Sequence, residues 1–191
     1  IVEKTVGALI KDKTPAQVEE IKIIDPSCGS GSFLVGAYSY LLAWHLDYYT
    51  NTKHLKKALK EGVMYQAMGG AYKLTIEEKQ RILLASIYGV DIDEQAVEVS
   101  KLSLYLKLLE DEGREAASKE ELFKHTDLKL LPSLMNNIKC GNSLVSNDYY
   151  LNKELFDLED LRRVNAFDFE KEFPFIKEGE LFDCVSHKSP S

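Results

Sequence analysis

An α/β architecture, a mostly parallel sheet with helices on both faces, is the fold class that three features of these 191 residues predict. Short runs at 21–24, 87–90, 137–140 and 181–185 read as strands, and those at 21–24, 87–90 and 181–185 have the apolar character of buried ones. Segments with apolar residues at helical spacing separate them, and alternating strands and helices build a parallel sheet. Each of the first three runs is followed by Gly, Asp or Asn, the residues that turn a chain at a strand end.

Taken in order, 1–10 has the pattern of a short helix, and Thr14-Pro15 breaks it before the Ile21-Lys22-Ile23-Ile24 strand. The segment Asp25-Pro26-Ser27-Cys28-Gly29-Ser30-Gly31-Ser32 is a glycine loop. After it Leu34, Ala37, Tyr38, Leu41, Leu42 and His45 recur on one helical face. Residues 48–74 are rich in Lys, carry Gly69-Gly70 and have no strong period. With the helix behind them they read as a helical insertion at about 48–85. Thr75-Ile76-Glu77-Glu78 has the form of a capping box, in which each end satisfies a backbone donor of the first turn. The Ile87-Tyr88-Gly89-Val90 strand stops at Asp91-Ile92-Asp93, and a helix over 94–110 follows, apolar on more than one side. Ser118-Lys119-Glu120-Glu121 is a further helix start, 137–143 a short strand running into a turn, 149–179 helix and loop, and 181–185 the start of a fourth strand.

Composition excludes several classes. The chain is 45% hydrophobic and 29% charged with only 11 Gly and 5 Pro, which rules out disordered and fibrous proteins. No run approaches the length needed to cross a bilayer, and the start lacks the charged-then-apolar order of a secretory signal. Cys28, Cys140 and Cys184 lie far apart, and the four His form no metal-binding spacing, so neither a disulfide framework nor a metal site is expected and a reducing cytoplasm fits. The net charge of −7 is concentrated between Asp148 and Asp183, where eleven acids face five bases. Without a basic stripe, this stretch of chain is expected to bind nucleic acid poorly by itself.

In a parallel sheet ligands bind over the carboxyl ends of the strands, and the unusual residues stand there. Gly29 and Gly31 let backbone approach a ligand closely, while the next helix offers oriented N–H donors; a plain strand-to-helix turn would use the same residues. A dinucleotide fingerprint needs a third glycine where Leu34 stands and a ribose-binding acid roughly 20 residues on. The next strand-end acid, Asp91, lies about sixty residues after Gly31, and no Gly-Lys-Ser/Thr of a phosphate loop is present. The loop instead opens on Asp25, whose carboxylate repels pyrophosphate and attracts an ammonium or sulfonium. That points away from NAD and ATP and toward S-adenosylmethionine.

These residues carry a family resemblance over about 1–185. The segment Asp25-Pro26-Ser27-Cys28-Gly29-Ser30-Gly31-Ser32-Phe33-Leu34 resembles the first motif of amino-group DNA methyltransferases, Ile87-Tyr88-Gly89-Val90-Asp91-Ile92-Asp93 the second, and Ile138-Lys139-Cys140-Gly141-Asn142-Ser143-Leu144 the third. The similarity is greatest to adenine-specific enzymes of the type IIG restriction–modification group and the related phage-defence methylases. It implies a Rossmann-like S-adenosylmethionine-dependent fold, here incomplete, in which 1–185 form the cofactor-binding part. Asp25, Cys28, Gly29 and Gly31 would line the methionine end of the cofactor, Pro26 would shape the turn, and Phe33 would start the helix beneath it. Asp91 would accept the ribose hydroxyls and Ile92 would pack on the adenine. Asn142 stands where the family usually has Asp for the adenine amino group, and its amide oxygen can still accept. Without a ligand, Asp91 and Asn142 would be a helix cap and a turn residue; Asp93 reads as a cap and Cys28 as a packing residue.

The resemblance lapses at 186–191. In the family a Phe-Asp-x-Val strand leads to Asn/Asp-Pro-Pro-aromatic, which holds a flipped base; here Lys188 stands at the Asn/Asp position and Ser191 at the aromatic. No catalytic residue is therefore assigned. The tail is expected to be non-native, the chain an inactive fragment whose parent methylates adenine in DNA through parts beyond it, and the family's Phe/Tyr-Thr-Pro element to precede Ile1. Two alternatives stand beside this: a fragment acting on RNA or on a protein glutamine, and a non-catalytic cofactor-binding domain.

Overall fold

The computed structural model describes residues 2–51, 53–110, 131–146 and 164–186. Four parallel strands form its main sheet: β1 (Ile23–Asp25), β4 (Ile87–Asp91), β5 (Ile138–Cys140) and β6 (Cys184–Val185), in the spatial order β5-β4-β1-β6. From β1 the chain steps to one side for β4 and β5, then to the other for β6. The strand order thus reverses at β1, directly beneath the glycine loop.

The period of two in an extended chain sorts the strand residues onto two faces. Ile23, Ile87 and Ile138 pack into the larger core with α1 (Val2–Ile10), α3 (Ser32–Thr50), α5 (Ile76–Ser86) and α6 (Glu94–Leu108). On this face Gly89 is needed for close packing. A Cβ there would stand 2.8 Å from Leu34 Cδ1 and 3.3 Å from Cys28 Cβ, so its absence lets α3 lie directly on the sheet. Ile24, Tyr88 and Val90 point to the other face, which Phe167, Phe173 and their neighbours cover. Cover on both faces is as expected, but the two covers differ. Among the described residues the second consists of α7 (Phe169–Glu172) and a 3-10 turn at Pro174–Glu178. Its cohesion is aromatic: Tyr88 meets Phe173, Phe175 and Phe182 edge-on at 5.6, 5.4 and 5.5 Å between ring centroids.

Three local expectations are corrected. Thr14-Pro15 does not merely break a helix; it starts α2 (Pro15–Glu19), because proline suits the first helical position and the Thr14 N–H donates to Gln17 Oε1 at 2.9 Å. The stretch expected to be a helical insertion is more than helical. After α3 and α4 (Leu55–Glu61) it makes an antiparallel hairpin, β2 (Met64–Gln66) with β3 (Tyr72–Leu74), turning through Gly69-Gly70. The Thr75/Glu78 capping box does not form. The Thr75 hydroxyl donates to Gly62 O at 3.0 Å, and the buried Glu78 carboxylate is taken by Arg81 and by the Tyr49 hydroxyl, each at 2.8 Å. The helix start at 118–121, the first part of the acidic stretch and the tail at 187–191 lie outside the described residues.

Beside that network sits His45, buried at 1% exposure; its Nδ1–H donates to Leu41 O at 2.8 Å, and Nε2 has no hydrogen-bond partner among the described residues. Burial lowers its pKa, against a smaller pull upward from Glu78. The unfolded chain therefore takes up this proton first. Stability should fall as pH drops below about 6.5, the ordinary histidine value, and a His45→Phe variant should show a shallower fall in urea titrations across that range. Phe173→Ala, which empties the centre of the aromatic cover, should cost about 3–5 kcal/mol in the same titrations.

Candidate functional site

β1 ends in Asp25, which is 1% exposed. Its Oδ1 accepts the Ser27 N–H at 3.1 Å and turns the chain, while Oδ2 is buried with no hydrogen-bond partner among the described residues. Past Pro26 and Ser27 the loop tightens: Cys28 N–H donates to Val90 O at 2.9 Å, and Gly31 N–H to Cys28 O at 2.9 Å. Gly29 and Gly31 take φ of +54° and +78°, a region that residues with a Cβ enter at a cost. Gly31 then caps α3, its carbonyl accepting the Val35 N–H at 2.8 Å.

β4 brings Asp91 against this loop. Oδ2 accepts the Gly29 N–H at 2.7 Å and Oδ1 the Asp93 N–H at 3.0 Å. Asp93, as expected, caps α6 by accepting from Gln95 N–H at 2.8 Å. Ile92 between them is 53% exposed, an apolar side chain held out at the strand end. On β5's side, Asn142 closes a turn by accepting the Leu144 N–H at 3.1 Å through Oδ1. Its own N–H donates to Asn165 O at 2.7 Å, so the turn is held from both directions.

Of the residues expected from sequence, Asp25, Pro26, Cys28, Gly29, Gly31 and Asp91 thus form one continuous loop assembly. Ile92 and Asn142 stand on the adjoining strand ends. Phe33 is turned to the main core, half-buried against it. The Cys28 thiol is pushed up to about 11, chiefly by burial, and packs rather than reacts.

Two further residues belong to the assembly. Ser100, fully buried on α6, donates to Gly29 O at 2.8 Å, and a Cβ on Gly31 would lie only 3.0 to 3.3 Å from its atoms. Ser143, next to Asn142, donates to Pro26 O at 2.6 Å. A lone serine on a helix or in a turn has no distinguishing sequence pattern; only the partner carbonyl marks these two.

Chemically, the site offers two carboxylates, positive-φ glycines that expose backbone, and an apolar lid residue. It suits a ligand with a cationic end and a hydroxyl-bearing, flat end. Among the described residues no group of three or more His, Cys, Asp or Glu is placed to hold a metal ion, and no helix is long and apolar enough to cross a membrane.

Comparison with known proteins places residues 8–154 on the model of the MmeI DNA-methyltransferase domain. The chain is similar to the type II restriction enzyme and methyltransferase RM.Eco57I of Escherichia coli, 33% identical over 168 residues, which are 88% of this chain and 15% of that protein. It is 38% identical over 129 residues to a putative type II restriction enzyme and methyltransferase, RM.MjaORFECS2P, of Methanocaldococcus jannaschii, across 68% of this chain and 9% of that one. The adenine-specific methyltransferase BrxX of Escherichia coli matches over 103 residues at 32%, covering 53% of this chain and 7% of its own length. The chain therefore spans a small part of these relatives.

A Gly31→Ala variant should be destabilised by about 1–3 kcal/mol in urea titrations, because the new Cβ meets both an unfavourable φ and Ser100.

Proposed function

This chain belongs to the family of the MmeI DNA-methyltransferase domain, and we propose that it is the S-adenosylmethionine-binding part of a DNA adenine methyltransferase of a restriction–modification system. The observation that carries the reading is Asp25 Oδ2, a carboxylate oxygen buried without a hydrogen-bond partner among the described residues, at the point where strand order reverses. Buried acceptors are normally satisfied, and an ammonium at that oxygen would satisfy it. The residues present fit the cofactor.

When bound, S-adenosylmethionine supplies a methyl group activated on a sulfonium. Asp25 holds the ammonium, and Cys28, Gly29 and Gly31 wall the methionine end, with Pro26 setting the turn and Phe33 anchoring the helix that follows. Asp91 keeps a lone pair on each oxygen beyond those given to Gly29 and Asp93, enough for two ribose hydroxyls. Ile92 packs on the adenine face, and Asn142 Oδ1 accepts from its amino group.

In the whole protein the acceptor is the exocyclic amine of adenine in DNA, and the rate comes from in-line positioning and from hydrogen bonds to that nitrogen. The groups expected to make those bonds are replaced here by Lys188 and Ser191, so this chain should bind cofactor without transferring methyl. With a net charge of −7, it leaves DNA contact to other parts of the protein, which works in the cytoplasm.

Thermal unfolding tests the reading. S-adenosylmethionine or S-adenosylhomocysteine at 100 times its dissociation constant should raise the midpoint by roughly 5–10 °C, NAD should not, and Asp91→Ala should abolish the shift. Equal shifts with NAD, or none with the adenosyl compounds, would reject it.

A further inference from the structure

The glycine loop and the turn after β5 are separate pieces of chain, and the distance between them sets the length of ligand that can touch both. A hydrogen bond joins them directly: Ser143 Oγ donates to Pro26 O at 2.6 Å, across 117 residues of sequence. Pro26 stands between Asp25 and the glycines. Ser143 stands beside Asn142. The bond therefore ties the end of the site that carries Asp25 to the end that carries Asn142.

Each side of the strap is stiff in its own right. The glycine loop is held by Asp91 through Gly29 N–H and by Ser100 through Gly29 O, at 2.7 and 2.8 Å. The turn is held by the Asn142–Leu144 bond and by Asn165 O. Both halves also meet Asp91, which accepts the Gly29 N–H through Oδ2 and the Gly141 N–H through its carbonyl at 2.8 Å, so loss of the strap would leave both formed and loosen, without releasing, the separation between Pro26 and the turn.

We propose that Ser143 is a positioning residue that fixes the spacing between the amino-acid end and the adenine end of the cofactor site. This rests on the cofactor reading given above and names the residue that makes the site selective for a ligand reaching both ends. Removing the hydroxyl should weaken a spanning ligand and spare one that occupies the adenine end alone, because the latter uses Asp91, Ile92 and Asn142, none of which depends on Pro26.

The experiment is calorimetric titration of the wild-type chain, Ser143→Ala and Ser143→Thr with two probes, S-adenosylhomocysteine and 5′-methylthioadenosine, which lacks the amino-acid end. Ser143→Ala should lose about tenfold in affinity for S-adenosylhomocysteine, the scale of one hydrogen bond, with affinity for 5′-methylthioadenosine changed by less than about twofold. Ser143→Thr, which keeps the hydroxyl, should restore the first value. Equal losses for both probes would make Ser143 a general structural residue and overturn the proposal, as would an unchanged affinity for S-adenosylhomocysteine. If the wild-type chain binds neither probe, the cofactor reading itself fails, an outcome distinct from the other two.

Discussion

The hydrogen bond from Gly29 N–H to Asp91 Oδ2, 2.7 Å long across 62 residues of sequence, is the constraint on which the rest of the site depends. A charge-assisted bond of this kind contributes about 1.5–3 kcal/mol, but its geometric demands matter more. It requires β1 and β4 to run parallel in a register that sets Asp25 opposite Gly89, so that β4 runs past the end of β1 and brings Asp91 to the loop. It requires Gly29 to take a positive φ, which directs its N–H toward β4. It also requires α3 and α6 to lie close, since both begin at this end of the sheet. Gly89 and Gly31 supply that closeness by having no side chain where Leu34 and Ser100 need the room.

Much of this was legible because it rests on local chemistry. A buried strand is a short apolar run, and Ile87 to Asp91 could be read without knowing what it pairs with. The acids and glycines at strand ends were legible for the same reason. What escaped was anything decided by a distant partner. The Thr75/Glu78 box has the right letters, but a buried carboxylate gains more from Arg81 and Tyr49 than from a backbone donor already near water. The β2–β3 hairpin has only three residues in each strand, too few to show a period. Ser100 and Ser143 matter through carbonyls that lie 71 and 117 residues away.

The two faces of the sheet illustrate the same division. The helical face is periodic in sequence because each helix buries one side along several turns. The opposite face is covered by single rings, Phe167, Phe173, Phe175 and Phe182, set into short turns. Rings placed one at a time need no period, so the acidic segment that carries them reads as irregular. Its charge is compatible with this role: Glu172 reaches out to Lys139 at 2.8 Å, and Lys139 and Lys22 lie over Phe173 and Phe175 at 5.7 and 5.2 Å from the ring centroids.

The uncharged side chain of Asn142, at the strand end next to Asp91, fits the electrostatics of the same region. Asp25, Asp91 and Asp93 already crowd three carboxylates onto the ends of two adjoining strands, and only backbone N–H groups face them among the bonds that hold the loop. A fourth negative charge at the next strand end would add repulsion without adding a kind of contact that the amide oxygen lacks. Asn142 accepts the Leu144 N–H as an aspartate would, and leaves the turn that Ser143 bonds to Pro26 free of that repulsion. An uncharged acceptor at 142 therefore suits a sheet whose neighbouring strand ends already carry three carboxylates.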